Sequence, residues 1–259
     1  MKKLFFILSL IFAVGFQSFA QNNNDNDDAD KTKFEIVNEN RNLPVFESID
    51  ITGRFKVVLH QSTTQTVTVV APDKFMSIVS TTVENGILKI NITDPPKDKD
   101  VNFFEKMKLK HNDYLIRQPI EIHIGVNNLK QIIADGASTI ETKTNFDIHE
   151  LYINLSEASK ATLECNISDL TLSLSEAAKL EMTGKAQNIQ LEASGAANFK
   201  GGNLQSKNVT VNMSGASRAD VFASESLHAK LNGASTLYCY GSPKDVHQTA
   251  SRVSKIVIN

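Results

Sequence analysis

The sequence predicts an all-β protein whose body is a parallel β-helix, or solenoid, of about 19–20 residues per coil. Three observations predict this fold: a corner motif of small residues recurs seven times, alternating apolar and polar residues precede the copies, and an apolar residue follows each at a fixed distance. A unit of two short strands and a tight corner cannot bury its apolar face alone. The copies must therefore stack, and we expect the N-terminal strands to form an additional β region or cap.

Residues 1–20 have the pattern of a signal peptide, in which two lysines precede an apolar run from Leu4 to Phe16. Segment 21–44 follows as a flexible polar leader, because residues 21–33 contain one apolar side chain and cannot offset the entropy of ordering. The aspartates of the leader lack the Gly and Glu spacing of an EF-hand loop. The apolar run is too short to span a bilayer. We therefore expect an exported protein without a transmembrane anchor, located in the periplasm, at the outer surface or outside the cell.

Residues 45–128 form the predicted N-terminal β region. Stretches such as "SIDITGRFKVVLHQS" and "ILKINITD" alternate apolar and polar residues and are rich in Val, Ile and Thr, as strands are. A Lys-rich excursion at 94–113 interrupts this pattern with two prolines, and "QPIEIHIGV" resumes it. Loops that leave a regular body often carry function. The excursion is either a binding loop or a surface insertion, and its candidate ligand-binding residues are Phe103, Phe104, Lys106 and Lys108.

The regular repeats occupy residues 129–259. Each repeat has one corner position, the alanine slot, that is alanine in six of the seven copies. Successive slots are 21, 19, 19, 20, 18 and 19 residues apart, and the third residue after each slot is apolar. The alanine slot is filled in order by Ala137, Ala158, Ala177, Ala196, Ala216, Ala234 and Val253. The stretch "LSLSEAAKL" would suit a helix if it stood alone, but the repeat predicts a corner with Ser175 and Glu176 at the bend and Ala177 pointing inward. Stacking at about 4.8 Å per coil favours small residues in such a column.

Charge and cysteine usage bear on the class of partner and on crosslinking. The formal net charge of −2 becomes −4 without Lys2 and Lys3, and no basic patch is dense enough to indicate a nucleic-acid partner. Cys165 and Cys239 lie four coils apart, on the order of 19 Å at about 4.8 Å per coil. A disulfide needs Cα atoms within about 7 Å, so we expect two free, mostly buried thiols. No cofactor-binding motif occurs, and no cofactor is expected.

The segments "FESIDITGRFKVVLHQS" and "QPIEIHIGVNNLKQIIADGAS", together with the recurring "SGAS" and "NGAS" corners, resemble the family of auto-transporter adhesins with a head GIN domain. The similarity runs from about Val45 to the C-terminus. This resemblance implies a right-handed parallel β-helix, export and a role in surface adhesion, and it brings no catalytic residues. The chain departs from the usual corner at Glu157 and Glu176, where four other copies have glycine, and in its irregular last copy. A glycine with positive φ is not freely replaced by Glu.

Two pairs of side chains are candidates for chemistry because the repeat stacks them. Glu157 and Glu176 share a column about 5 Å apart, a carboxylate spacing known from retaining glycosidases. Lys160 and Lys179 stack in the same way, so the alternative interpretation is a charged ladder on the outer face. No Asp or Glu fills neighbouring copies of the glutamate column.

Two histidines share another outward column. His228 and His247 lie one coil apart and could ligate a metal ion, while the alternative is two solvated histidines. Their outward neighbours are Lys230 and Thr249, and the sequence indicates no third ligand. We therefore predict no metal site and keep the two histidines as candidates.

The sequence as a whole predicts a non-catalytic exported β-helix protein that acts as an adhesin-like or cell-envelope binding module. The candidate ligand contacts are the four excursion residues and the outward Lys160, Lys179 and Arg218. The alternative is a polysaccharide-cleaving enzyme, a lyase or hydrolase, built on a β-helix around Glu157 and Glu176. The expected partner is a glycan or an envelope or host surface protein. The C-terminal "SKIVIN" predicts an open strand edge, and hence a homodimer through that edge or a tucked edge.

Overall fold

A computed structural model describes residues 35–93 and 120–259 of the chain. The predicted signal peptide, most of the leader and the Lys-rich excursion with its four candidate residues lie outside the described residues. The last part of the predicted leader is not irregular, because Ile36–Asn40 forms a strand that pairs with Thr68–Pro72.

The described residues form twenty strands and one four-residue helix, α1 (Asp73–Met76). The strands are β1 (Ile36–Asn40), β2 (Ser48–Gly53), β3 (Phe55–Gln61), β4 (Thr66–Pro72), β5 (Val79–Glu84), β6 (Ile87–Ile92), β7 (Ile120–Val126), β8 (Gln131–Gly136), β9 (Thr139–Thr142), β10 (Phe146–Leu155), β11 (Lys160–Leu174), β12 (Lys179–Ala193), β13 (Asn198–Lys200), β14 (Leu204–Gln205), β15 (Asn208–Met213), β16 (Arg218–Phe222), β17 (Ser226–Leu231), β18 (Thr236–Tyr240), β19 (Asp245–Ala250) and β20 (Lys255–Ile258).

The strands wind into a β-solenoid with two long parallel sheets. The first sheet stacks β6, β2, β8, β10, β11, β12, β15, β17 and β19. The second sheet stacks β7, β3, β9, β11, β12, β13, β16, β18 and β20. The 15-residue strands β11 and β12 belong to both sheets, because each crosses a short third side between them. The seven sequence repeats form the turns from β8/β9 to β19/β20, so the predicted β-helix is confirmed.

The N-terminal turns enter the stack out of chain order. β2 pairs with β6 and β8, and β3 pairs with β7 and β9, so the β2/β3 turn lies between β6/β7 and the first regular repeat. Antiparallel strands occupy the outer side of these turns: β4 pairs with β7, β1 pairs with β4, and β5 pairs with β6. This end of the solenoid is the additional β region that the sequence predicts.

Apolar columns fill the space between the sheets. The third residue after each alanine slot is buried in six turns and half-buried in the last, in the column Ile140, Ala161, Leu180, Phe199, Ala219, Leu237 and Ile256. Burying a Leu, Ile or Phe side chain contributes about 1.5–3 kcal/mol relative to leaving it exposed. The alternation that predicts the strands is therefore also the main source of stability.

The corners differ from the prediction in the residue that points inward. Ala177 is exposed, and the next residue, Ala178, is buried. The prediction was wrong by one position because Ala178, not Ala177, is two residues from the inward Leu180 and shares its face. The buried corner column consists of Ser138, Ser159, Ala178, Ala197, Ser217 and Ser235. Its hydroxyls find backbone acceptors, as when Ser217 Oγ donates to the Ser214 carbonyl at 2.9 Å.

Both cysteines are free and buried, which confirms the prediction. Burial raises the pKa of the Cys165 thiol to about 12, and the nearby Glu164 and Asp147 carboxylates act in the same direction. Burial also raises the pKa of Cys239. Both thiols are therefore neutral core groups at ordinary pH.

The last turn of the solenoid has an open outer edge. Within the described ranges, β19 and β20 pair only with β17 and β18 on their inner side. Three apolar side chains near this edge are exposed: Val246, Val253 and Ile258. The described part of the chain also contains no helix with the length and apolar character needed to cross a membrane.

Candidate functional site

One outward column of the second sheet carries three of the seven predicted binding residues, and the other four lie outside the described residues. We call it the basic column, and it comprises Lys56, Thr139, Lys160, Lys179, Asn198, Arg218, Thr236 and Lys255. The structure thus brings Lys160, Lys179 and Arg218 into one line. Strands in a sheet are about 4.8 Å apart, so the five steps from Lys160 to Lys255 span roughly 24 Å.

Sequence reasoning missed the two ends of this column. Lys255 follows the last corner at the same distance as Lys160 and Lys179 follow theirs, so the repeat alignment contained the signal. Lys56 could not be placed in this way, because its turn enters the stack out of chain order.

The cations of the basic column differ in how they are paired. Lys56 Nζ donates to Glu121 Oε1 at 3.1 Å. Arg218 pairs with Asp220 at 3.2 Å and lies 4.6 Å from the centroid of the Tyr238 ring. Lys160 and Lys179 are exposed and have no ion pair within 4.0 Å among the described residues. Lys255, at the end of the column, also has no ion pair there, and its Nζ lies 5.9 Å from the centroid of the Tyr238 ring. Lys160 and Lys179 are therefore the two neighbouring cations of this column without an ion pair.

The next outward column, two residues further along each strand, is partly acidic. It contains Glu141, Glu181 and Asp220. Glu181 lies 3.6 Å from Lys200, and Glu141 lies 2.9 Å from Lys143. The hydrogen bond from Lys143 is the main cause that lowers the pKa of Glu141, although partial burial opposes it. The second sheet thus has a mixed charged face in which Lys160 and Lys179 are neighbouring cations without an ion pair among the described residues.

The corner glutamates adopt the backbone conformation of the glycines that they replace. Glu157 and Glu176 have φ of 53° and 57°, close to the values of 67°, 70° and 69° at the corner glycines Gly195, Gly215 and Gly233. Both glutamates are exposed at a convex corner. The adjoining turns place Gly136 and Gly195 in the same column, so within it no third carboxylate supports a catalytic pair.

His228 and His247 share a column, as the sequence predicts, and lie directly opposite each other on β17 and β19. Their ring centroids are 5.0 Å apart. The expectation that no third ligand is available was wrong. Asp245 lies two residues before His247 on the same strand, and the ligand atoms of the three side chains all lie within 4.8 Å of one another. The missed signal is the Asp-Val-His spacing, because residues i and i+2 of a strand share a face.

A ladder of polar side chains leads along the first sheet towards this cluster. Asn188 donates to Asp169 at 2.8 Å, Asn208 donates to Asn188 at 3.0 Å, and Ser226 donates to Asn208 at 2.8 Å. In register, the next residue after Ser226 is Asp245. This polar ladder, Asp169–Asn188–Asn208–Ser226, shows how identical positions on successive turns bond to one another.

The short third side carries an open groove of about 860 Å³. Apolar residues of successive turns, Ile148, Ile167 and Ala186, lie along it, and Lys185 and Lys207 stand among its polar residues. The sequence analysis did not identify this groove. These residues come just after the chain bends from the second sheet onto the short third side. At that bend, the alternation of inward and outward residues along a strand does not indicate which side chains form the surface.

The family model for "Putative auto-transporter adhesin, head GIN domain" matches residues 45–243. The chain belongs to this family. The matched range covers both the N-terminal turns and the regular repeats, and it includes the unpaired Lys160 and Lys179 as well as His228. The family resemblance that the sequence indicates is therefore confirmed.

Solved structures share the fold of this family member at low sequence identity. A protein named a "putative adhesin" from Bacteroides fragilis NCTC 9343 is 17% identical with a TM-score of 0.74, over 87% of this chain and 97% of that chain. A "putative adhesin" from Parabacteroides merdae ATCC 43184 is 13% identical with a TM-score of 0.62, over 87% and 96%. A "putative lipid binding protein" from Parabacteroides distasonis ATCC 8503 is 16% identical with a TM-score of 0.59, over 86% and 96%. No curated protein is significantly similar to the chain.

Proposed function

We propose that this family member is a non-catalytic exported adhesin that binds an acidic glycan at the cell envelope or on a host surface through its second sheet. The family supports adhesion and export. The observation that carries the choice of ligand is the pair Lys160 and Lys179, two exposed cations on adjacent strands without an ion pair in the described structure. Ammonium groups with this freedom can pair with carboxylates or sulfates of a polymer.

The solenoid supports this function by holding the lysines on a rigid frame. Lys160 and Lys179 follow buried corner residues, Ser159 and Ala178, and both of their amides bond to the preceding turn at 2.8 and 2.9 Å. The Cα positions are therefore fixed at strand spacing, about 4.8 Å. A fixed frame lowers the entropy that a binding surface loses when a ligand engages several groups.

The expected affinity comes from several contacts along a polymer. One exposed ion pair contributes about 0.2–1 kcal/mol, which is too little for a single site. Arg218 and Lys255 lie further along the same column, so an extended anionic chain could engage several turns at once. Linked contacts of this kind raise the overall affinity without any new type of interaction.

The test is binding of the purified chain to immobilised sulfated, uronic-acid and neutral glycans at low and physiological salt. We expect saturable binding to the acidic glycans and a marked loss in the double variant Lys160→Gln, Lys179→Gln. The matched control is Lys230→Gln, Lys244→Gln, which removes the same charge from exposed positions outside the second sheet. Equal binding by both double variants, or binding to neutral glycans or proteins only, would show that the basic column does not bind an acidic glycan.

The alternative, a polysaccharide-cleaving enzyme, is tested in the same samples by product analysis. The double variant Glu157→Gln, Glu176→Gln keeps the shape of both corners and removes both carboxylates. We expect no cleavage products from either the native chain or this variant. Turnover by the native chain that the variant abolishes would establish the enzyme and overturn the non-catalytic proposal.

A further inference from the structure

The cluster of His228, Asp245 and His247 is positioned by the register of the last two strands of the first sheet. His228 on β17 lies opposite His247 on β19, and Asp245 lies opposite Ser226. Asp245 and His247 are two residues apart on one strand, so their side chains leave the same face. The register thus places an imidazole–carboxylate–imidazole group on the outer surface, at the side of the solenoid away from the basic column.

The distances within this group suit coordination of one ion. Asp245 Oδ1 lies 3.1 Å from His247 Nε2, and Asp245 Oδ2 lies 3.5 Å from His228 Nε2. Ligand atoms at 2.0–2.2 Å from a tetrahedral zinc ion are about 3.4 Å apart. These two distances involve different oxygens of the Asp245 carboxylate, so side-chain rotation is needed to bring one oxygen close to both imidazoles. The ligand atoms of the three side chains already lie within 4.8 Å of one another.

We propose that His228, Asp245 and His247 form a surface binding site for a divalent transition-metal cation of the zinc class. Two imidazoles and one carboxylate are ligands that suit zinc, copper, nickel and iron, whereas calcium and magnesium take oxygen ligands. All three side chains are exposed. Coordination positions that these three ligands leave open therefore face solvent, where water or a group of another molecule can occupy them.

The surroundings of the site define a useful set of variants. Thr210 precedes His228 in its column, and Lys230 and Thr249 are the next outward residues on the two strands. Asp245→Asn keeps the shape of the carboxylate and removes its charge. His149 is an exposed histidine on β10 that lies outside the cluster, so His149→Ala is a matched control for the loss of an imidazole.

The experiment is a competition titration of Zn²⁺ against a chromogenic chelator, using the metal-stripped chain without a histidine tag. We expect one binding site to be lost or weakened at least about tenfold in His228→Ala, His247→Ala and Asp245→Asn, because changes at the outer shell of a metal site alone cost 10–100-fold in affinity. His149→Ala should bind as the native chain does. Because all substituted residues are exposed, circular dichroism should show an unchanged fold.

A second measurement identifies the ligands directly. The Cu²⁺-loaded native chain should show electron paramagnetic resonance couplings from two imidazole nitrogens, and each single histidine variant should show one fewer. Zn²⁺ affinity that is equal in the native chain and all three variants would overturn the proposal. So would native Cu²⁺ spectra without nitrogen couplings from imidazole.

Discussion

Glu157 and Glu176 hold the same left-handed backbone conformation on consecutive turns, and the amide of Ala177 donates to the carbonyl of Glu157 at 2.9 Å. The next corner repeats this bond between Ala196 and Glu176 at 2.6 Å. A corner of this solenoid is therefore defined by its stacked backbone bonds, and these accept a non-glycine residue at positive φ. The conformation costs an L-residue roughly 1–2 kcal/mol relative to the right-handed region.

Replacing Glu176 with glycine should stabilise the solenoid. Glycine removes the backbone strain but loses about 0.5–1 kcal/mol more conformational entropy on folding, so the expected net gain is up to about 1.5 kcal/mol. Urea unfolding of Glu176→Gly would measure it. The control is Glu164→Gly, at an exposed strand position of β11, where the same change should destabilise the chain. A destabilised Glu176→Gly would show that the side chain has a stabilising role at the corner.

Gly184→Ala should be strongly destabilising. Gly184 has φ of +115°, and an added Cβ would lie 2.1 Å from the carbonyl oxygen of Cys165 on the preceding turn. The expected loss is on the order of 3 kcal/mol or more, from strain and a shifted backbone. Gly86→Ala is the control, because Gly86 also has positive φ but no atom within 4 Å of the added Cβ. Thermal unfolding should therefore show a much smaller effect for Gly86→Ala, and equal effects would contradict the packing account.

The stability of the chain should fall at alkaline pH in a way that depends on Cys165. Burial raises the pKa of this thiol from an ordinary 9.0 to about 12. The unfolded chain therefore loses the thiol proton first, so this contribution to stability is complete below about pH 9 and declines as the pH rises towards 12. Urea midpoints between pH 7 and pH 11 should decline more steeply for the native chain than for Cys165→Ala. Parallel profiles would show that the thiol does not contribute.

The polar ladder should make a measurable contribution to stability despite its exposure. Asn188 donates one side-chain bond to Asp169 and accepts another from Asn208. We expect Asn188→Ala to lower the free energy of unfolding by about 1 kcal/mol, the typical net value of a hydrogen bond. Gln190→Ala, at the next outward position of the same strand, is the control and should have an effect within about 0.5 kcal/mol. Indistinguishable variants in urea unfolding would contradict a stabilising ladder.

The regular turns could be predicted from sequence because one period places every residue. Leu180 and the other members of its column are buried as the repeat predicts, except that Ile256 in the last turn is half-buried. Lys160, Lys179 and Arg218 lie in one column because their corners align. The position of Lys56 could not be predicted, since chain order does not define the order of stacking for β2 and β3. Local alternation describes a strand's two faces, but it contains no information on which strand is its neighbour.

The candidate site could likewise be predicted from the sequence only in part. The histidine column follows from the 19-residue spacing between His228 and His247, and Asp245 follows from strand alternation once that column is considered. The pairing state of the cations was not predictable, because Arg218 reaches Asp220 and Tyr238 through side-chain conformation. Lys160 and Lys179 have no such partner in the described structure. This difference depends on how the side chains pack on the outer face, and the repeat motif does not predict it.

In the described part of the chain, β19 and β20 have no strand on their outer side, and we propose that the chain forms a homodimer through this face. Val246, Val253 and Ile258 are exposed there, and unpaired strand edges readily pair with another chain. Light scattering coupled to size-exclusion chromatography should give the mass of a dimer, and Val246→Lys with Ile258→Lys should give a monomer, because charged side chains protect an edge from pairing. Val45→Lys, at an exposed apolar residue before β2, is the control and should remain dimeric. A native chain that is monomeric at all concentrations would contradict this interface.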